Sequence, residues 1–214
     1  MIKQTSKLLG IAGLLFMCGV AQGVPIEFKA TLSGAAESPA NASPGTGFAD
    51  VFYDSTLHTL QLSVTFSGLL GNTTASHIHA ATTTPGVGTA GVATTTPTFA
   101  GFPLGVTSGT YNNTLDLTSL SSYNSSYVTA NGGTAAGAEA ALVAAMMQGR
   151  SYLNIHTSVF AGGEIRGFLT AVPDTAATAM LLILSLAGIA VFAQLQSRLG
   201  KSTRPRFVKA ARKI

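Results

Sequence analysis

The chain has 214 residues, with 12 Lys and Arg against 8 Asp and Glu, for a formal net charge of +4. Only 9% of its residues are charged and 46% are hydrophobic, whereas an average soluble domain is about 25% charged. This composition argues against an ordinary cytosolic enzyme and against a disordered chain. The length suits one domain. The positive charge sits at the two ends: between Val24 and Val172 the basic residues are Lys29, Arg150 and Arg166, against seven acidic ones. No basic patch lies in the folding part, so a nucleic-acid partner is not expected.

Residues 1–23 read as a signal peptide. Lys3 and Lys7 precede the apolar run Leu8 to Val20, and Ala21-Gln22-Gly23 offers small residues before a cleavage at Val24. A buried helix or an uncleaved anchor is the competing reading. The only cysteine, Cys18, lies inside this segment. Leu15-Phe16-Met17-Cys18 superficially resembles a lipoprotein signal, which bulky Phe16 and Met17 fit badly. Cleavage leaves a chain without thiol chemistry, although the export route permits disulfides.

The middle segment predicts strands. Ile26-Glu27-Phe28-Lys29-Ala30-Thr31-Leu32 and Leu60-Gln61-Leu62-Ser63-Val64-Thr65-Phe66 alternate apolar and polar residues. Tyr111 to Thr118 alternates more weakly, and Ile165 to Leu169 closes the domain. Period-two alternation marks half-buried strands. Asp54-Ser55, Gly71-Asn72, Pro85-Gly86 and Asn131-Gly132-Gly133 supply turn residues. Ala135 to Gln148 predicts the one short helix, with Thr134 as N-cap, Gly149 just past the end and Leu142, Val143, Met146 and Met147 as its apolar stripe. The two methionines read as core filler. Ala81 to Phe102, with Thr-Thr-Thr-Pro at 82–85 and again at 94–97, predicts a solvated loop excursion.

Chemistry concentrates on three of the four histidines. His58 sits by a turn and reads as an exposed residue. His77 and His79 are two apart, so on a strand both project from one face, roughly 6.5–7 Å apart along the chain. Tyr152-Leu153-Asn154-Ile155-His156-Thr157 repeats the design, with Leu153 and Ile155 inward and His156 outward. If these strands are neighbours, His77, His79 and His156 converge, and three imidazoles suit copper or zinc. The alternative is that each histidine bonds a carbonyl or carboxylate and fixes local structure. Glu164 and Arg166 share a strand face and read as a structural ion pair, or as residues orienting a histidine from behind. No phosphate loop, nucleophile elbow or paired catalytic carboxylates are found, so no catalytic residue is assigned.

The C-terminus is tripartite. Val172-Pro173-Asp174-Thr175 precedes the uncharged run 176–193, predicted to span a membrane, and a basic tail over 198–214 predicts a cytoplasmic end. A buried core helix is the alternative. The segment resembles the sorting signals that bacterial exosortases process, of the Val-Pro-Asp or PEP-CTERM-like kind. The resemblance covers about 40 residues and implies cleavage near Val172, Pro173 and Asp174. The tail is longer than that pattern usually has, so a plain single-pass anchor stays open.

The middle resembles the chordin-type (CHRD) domain. The matching pieces are Phe28 to Gly34 with Glu37, Gly45-Thr46-Gly47, Leu62 to Leu69, Ala75-Ser76-His77-Ile78-His79, Tyr152 to Thr157 and Gly162 to Leu169. Ala80 stands where the family usually has Gly. The resemblance implies a mainly β fold, a single antiparallel β-sandwich of immunoglobulin-like or superoxide-dismutase-like shape. It also likens the His-x-His strand and the distant histidine to dismutase copper ligands. The further histidines and the Asp of a dismutase are not found.

The organisation expected is therefore a signal peptide at 1–23, a CHRD domain at 24–171 and a sorting or anchor segment at 172–214. The function expected is a non-enzymatic binding or structural module, exported to a bacterial surface or extracellular matrix, with a membrane and an exosortase-type enzyme as partners. The alternative is a copper- or zinc-binding protein, and less favoured still one with dismutase-like activity.

Overall fold

The computed structural model describes residues 24–173 and 175–202. The expected signal peptide with Cys18, Asp174 of the sorting motif and the tail from residue 203 lie outside the described residues.

Alternation becomes strands where the sequence reading places them, and more besides. β1 is Ile26–Ser33, β2 Thr46–Asp54, β3 Thr59–Ser67, β4 Thr73–Ala80 and β5 Gly109–Asp116. Two helices follow, α1 Ser125–Ala130 and α2 Ala135–Met147, then β6 Ser151–Thr157, β7 Ile165–Phe168, β8 Thr170–Ala171 and α3 Thr175–Ser202. β2 and β3 pair over their whole length through a turn in which the Asp54 carboxylate accepts from the Thr56 and Leu57 amides. His58 stands in that turn at φ 52° and its ring meets Glu139 of α2 at 2.9 Å.

The strands form one antiparallel sheet in the order β4-β6-β7-β1-β2-β3-β5, with β8 also on β1. This differs from the expected two-sheet sandwich. β1 pairs with β2 from Ile26 to Ser33 but with β7 only at Ser33↔Arg166. β8 continues the same register along β1 at Lys29↔Thr170 and Phe28↔Ala171, and the single sheet curls into a half-barrel instead of two separate sheets. Its concave side holds the core, where Phe28, Leu32, Leu60, Leu62, Ile78, Leu153, Ile155 and Ile165 are fully buried.

α2 closes the core much as expected. The Thr134 hydroxyl accepts from the Gly137 amide at 3.0 Å, and Gly149 ends the helix at φ 63°, a backbone conformation that suits glycine. The buried stripe is Ala138, Leu142, Ala145 and Met146, spaced i, i+4, i+7, i+8 as a helix face requires. The expected stripe through Val143 and Met147 is thus rotated, and Met147 is exposed. α1 was not foreseen: six residues carry too little periodicity to register.

In α3 the side chains of Leu182, Ile183, Leu184, Leu186, Ile189, Val191 and Phe192 are all more than half exposed. Among the described residues no helix is long and apolar enough to cross a membrane, so the expected span over 176–193 is not supported.

Candidate metal centre

β4 and β6 pair antiparallel with Ala75 opposite His156, His77 opposite Asn154 and His79 opposite Tyr152. Directly opposed residues share a sheet face. His77, His79, Asn154, Tyr152 and His156 therefore lie together on the convex side, while Ile78, Leu153 and Ile155 fill the core. The predicted convergence of the three histidines follows from this register. One ring nitrogen from each lies within 4.8 Å of the other two, and their ring centroids are 5.2–5.8 Å apart.

Each imidazole is held by its other nitrogen. His77 Nε2 bonds the Pro97 carbonyl, His79 Nδ1 the Ala90 carbonyl at 2.9 Å and His156 Nδ1 the Ala161 carbonyl at 2.9 Å. A carbonyl only accepts, so each of these nitrogens carries the proton. Burial depresses all three pKa values, taking His79 down to about 4, which keeps the rings neutral. The lone pairs then fall on His77 Nδ1, His79 Nε2 and His156 Nε2. Those are the three ring nitrogens that are buried without a hydrogen-bond partner. Every ring thus bonds a carbonyl, as the structural alternative expects, and still has one ring nitrogen without a partner. Nitrogens bound to tetrahedral zinc at about 2.0–2.1 Å stand about 3.4 Å apart. Closing the triangle around an ion takes side-chain shifts on the order of 1 Å.

The carbonyls come from segments read as solvated or passed over. The stretch 81–102 is not a free excursion. The Ala93 amide donates to the Ile78 carbonyl, the Phe99 amide to the Ser76 carbonyl, and the Thr94 and Thr98 hydroxyls accept from the Ile78 and Ser76 amides. The segment thus replaces a neighbouring strand on the outer edge of β4 and covers the histidines. Its length was the available signal, because structureless loops beyond about 12–15 residues are uncommon unless functional.

Tyr152 was also missed as a site residue. Its ring stacks on His79, 4.8 Å between centroids and 3° from parallel. The Arg166 guanidinium lies over the opposite face of this column, 4.7 Å from the Tyr152 centroid. The Tyr152 hydroxyl accepts from the Ala90 amide at 3.2 Å, the same residue whose carbonyl anchors His79.

The expected Glu164–Arg166 ion pair is not formed. Glu164 precedes β7 and is fully buried. Its carboxylate accepts from the Ser43 hydroxyl at 2.6 Å, the Leu70 and Gly71 amides at 2.6 and 3.1 Å, and the Thr157 hydroxyl at 2.7 Å. Burial alone raises its pKa, but these four bonds outweigh it and hold the carboxyl below its usual range. The residue ties the β3–β4 connection to the end of β6, and none of its carboxylate's four partners is a histidine. Arg166 instead bonds the Ala36 and Gly88 carbonyls and lies 3.7 Å from Glu37. Burial pushes the Glu37 carboxyl up to about 7 despite that cation. Val172 and Pro173 of the expected sorting motif follow β8, and the Val172 amide donates to the Glu27 carbonyl.

No curated protein and no solved structure matches the chain. The model of the CHRD domain matches residues 28–169, from β1 to just past β7 and including all three histidines, and the chain belongs to the CHRD-domain family.

Proposed function

We propose that this CHRD-domain chain is an exported, non-enzymatic binding module whose working centre is a three-histidine site for copper or zinc, formed by His77, His79 and His156. One observation carries the reading. Three neutral imidazoles present unpartnered, buried lone pairs to one point, while carbonyls fix the opposite nitrogens. Leaving a buried polar atom without a partner costs on the order of 1–3 kcal/mol. Three such atoms at one place are accounted for by a shared ion. Carbonyl anchoring of ligand histidines is also the usual arrangement around a bound metal.

Metal analysis of the full chain, purified without a histidine tag and loaded with copper or zinc, tests this. One equivalent per chain is expected, and none in the His77→Ala, His156→Ala double variant. Absence of stoichiometric metal, or binding that survives both substitutions, overturns the reading.

Placement outside the cell rests on the signal-like residues 1–23 and on the C-terminal segment. The exposed apolar side chains of Leu182 to Phe192 suit a lipid surface. The module is then held at a membrane, or released to the surface or matrix by an exosortase-type enzyme acting near Val172-Pro173-Asp174. Mass spectrometry of the cell-derived protein distinguishes the two fates, since a chain still ending at Ile214 excludes processing.

A further inference from the structure

The three-histidine reading leaves the ion's charge open, and the surroundings decide it. We infer that the site is built for monovalent copper, Cu(I), in preference to Zn(II) or Cu(II); this rests on the metal-binding reading above. Three observations lead there.

The donor set is the first. All three ligand atoms are neutral imidazole nitrogens, and among the described residues no carboxylate or thiolate joins their cluster. The bound ion therefore keeps its whole charge. A monovalent ion leaves +1 on the site, a divalent one +2.

Burial is the second. His77, His79 and the three ligand nitrogens are buried beneath the 81–102 segment. The cost of taking an ion out of water grows with the square of its charge, so a divalent ion loses about four times as much hydration as a monovalent one of similar size. In divalent sites this loss is usually offset by anionic ligands or by water in an open position. Here the donors are only neutral.

The third is a cation behind one of the ligands. Arg166 lies over Tyr152, and Tyr152 lies over His79, so a guanidinium stands one ring behind a ligand. Repulsion from it is twice as large for a divalent ion as for a monovalent one. Glu37, its closest carboxylate, is 3.7 Å from Arg166 and outside the histidine cluster. Three nitrogen donors also suffice for Cu(I), which accepts three-coordination, whereas zinc sites are almost always completed to four.

The experiment is a pair of competition titrations on the full chain. Cu(I) is supplied with ascorbate under nitrogen and competed against a colorimetric Cu(I) chelator, and Zn(II) is competed against a zinc indicator. Cu(I) is expected to bind tighter than Zn(II) by about tenfold or more. Asn154→Asp then places one carboxylate on the same face, opposite His77, at almost unchanged volume. It should lower the Cu(I) to Zn(II) affinity ratio by about tenfold or more, a change in selectivity that mere loss of packing does not produce. Equal or tighter Zn(II) binding, or an unchanged ratio in the Asn154→Asp variant, overturns the preference for Cu(I) and leaves the three-histidine reading standing. Failure of every ion to bind overturns the reading itself.

Discussion

The two halves of the curled sheet are built on different rules. In β1, β2 and β3 one face is buried and the other meets solvent, and burial alternates along each strand, as in Leu60, Leu62, Val64 and Phe66 against Gln61 and Thr65. In β4 and β6 the alternation vanishes, because Ser76 to Ala80 and Ser151 to Ile155 are buried on both faces. Yet the second face of that half is filled by histidine, asparagine, tyrosine and arginine. A polar face covered by a long segment invites a ligand; a polar face left to water does not.

Removing the clamp that fixes the polar half should have the largest effect. Glu164→Ala strands two backbone amides and two hydroxyls at the base of β4 and β6. It is expected to destabilise the domain by about 3–5 kcal/mol and to lower metal occupancy with it; urea unfolding and metal analysis read the two effects. Leu62→Ala opens a cavity in the other half, at a cost of about 2–5 kcal/mol. Below the unfolding transition it should leave the metal stoichiometry at the wild-type value. Loss of metal there would show that the halves are not separable.

Acid should act mainly on the polar half. The His79 pKa is about 4 in the folded chain, against about 6.5 when unfolded. The unfolded chain therefore takes up the proton first, and stability present above about pH 6.5 is lost as pH falls toward 4. Glu37 opposes this. Its carboxyl titrates near 7 when folded and near 4.5 when unfolded, so the folded chain binds that proton first and gains stability as pH falls through this window. The Glu37→Gln variant, with metal removed, should lose stability more steeply than wild type between pH 6.5 and 4, as measured by urea midpoints. The smallest effect is expected for Gln61→Ala, on the solvent face of β3. It should change stability by no more than about 0.5 kcal/mol, and a larger change in a thermal melt would mean that this face is not simply hydrated.

The legibility of the sequence follows the same division. β1 and β3 were readable because one face is wet, and solvent imposes the alternation. The histidine pairing was readable in part: i, i+2 spacing places His77 and His79 on one face, but only the β4–β6 register brings His156 beside them. The carbonyls of Pro97, Ala90 and Ala161 were invisible, since any residue carries one. Glu164 and Arg166 misled for a related reason. Opposite charges two apart suggest a pair, yet Glu164 found four uncharged donors, and Arg166 found carbonyls, a ring and Glu37.

The Tyr152–His79 stack gives the domain an optical property. The chain has no tryptophan, so its near-ultraviolet emission comes from five tyrosines. Among the described residues Tyr152 is the one whose ring lies against a histidine of the cluster, parallel and 4.8 Å away. An open-shell ion seated on that imidazole would quench Tyr152, the tyrosine stacked on it. Occupancy by Cu(II) would therefore register as a fractional loss of tyrosine fluorescence, without any added probe.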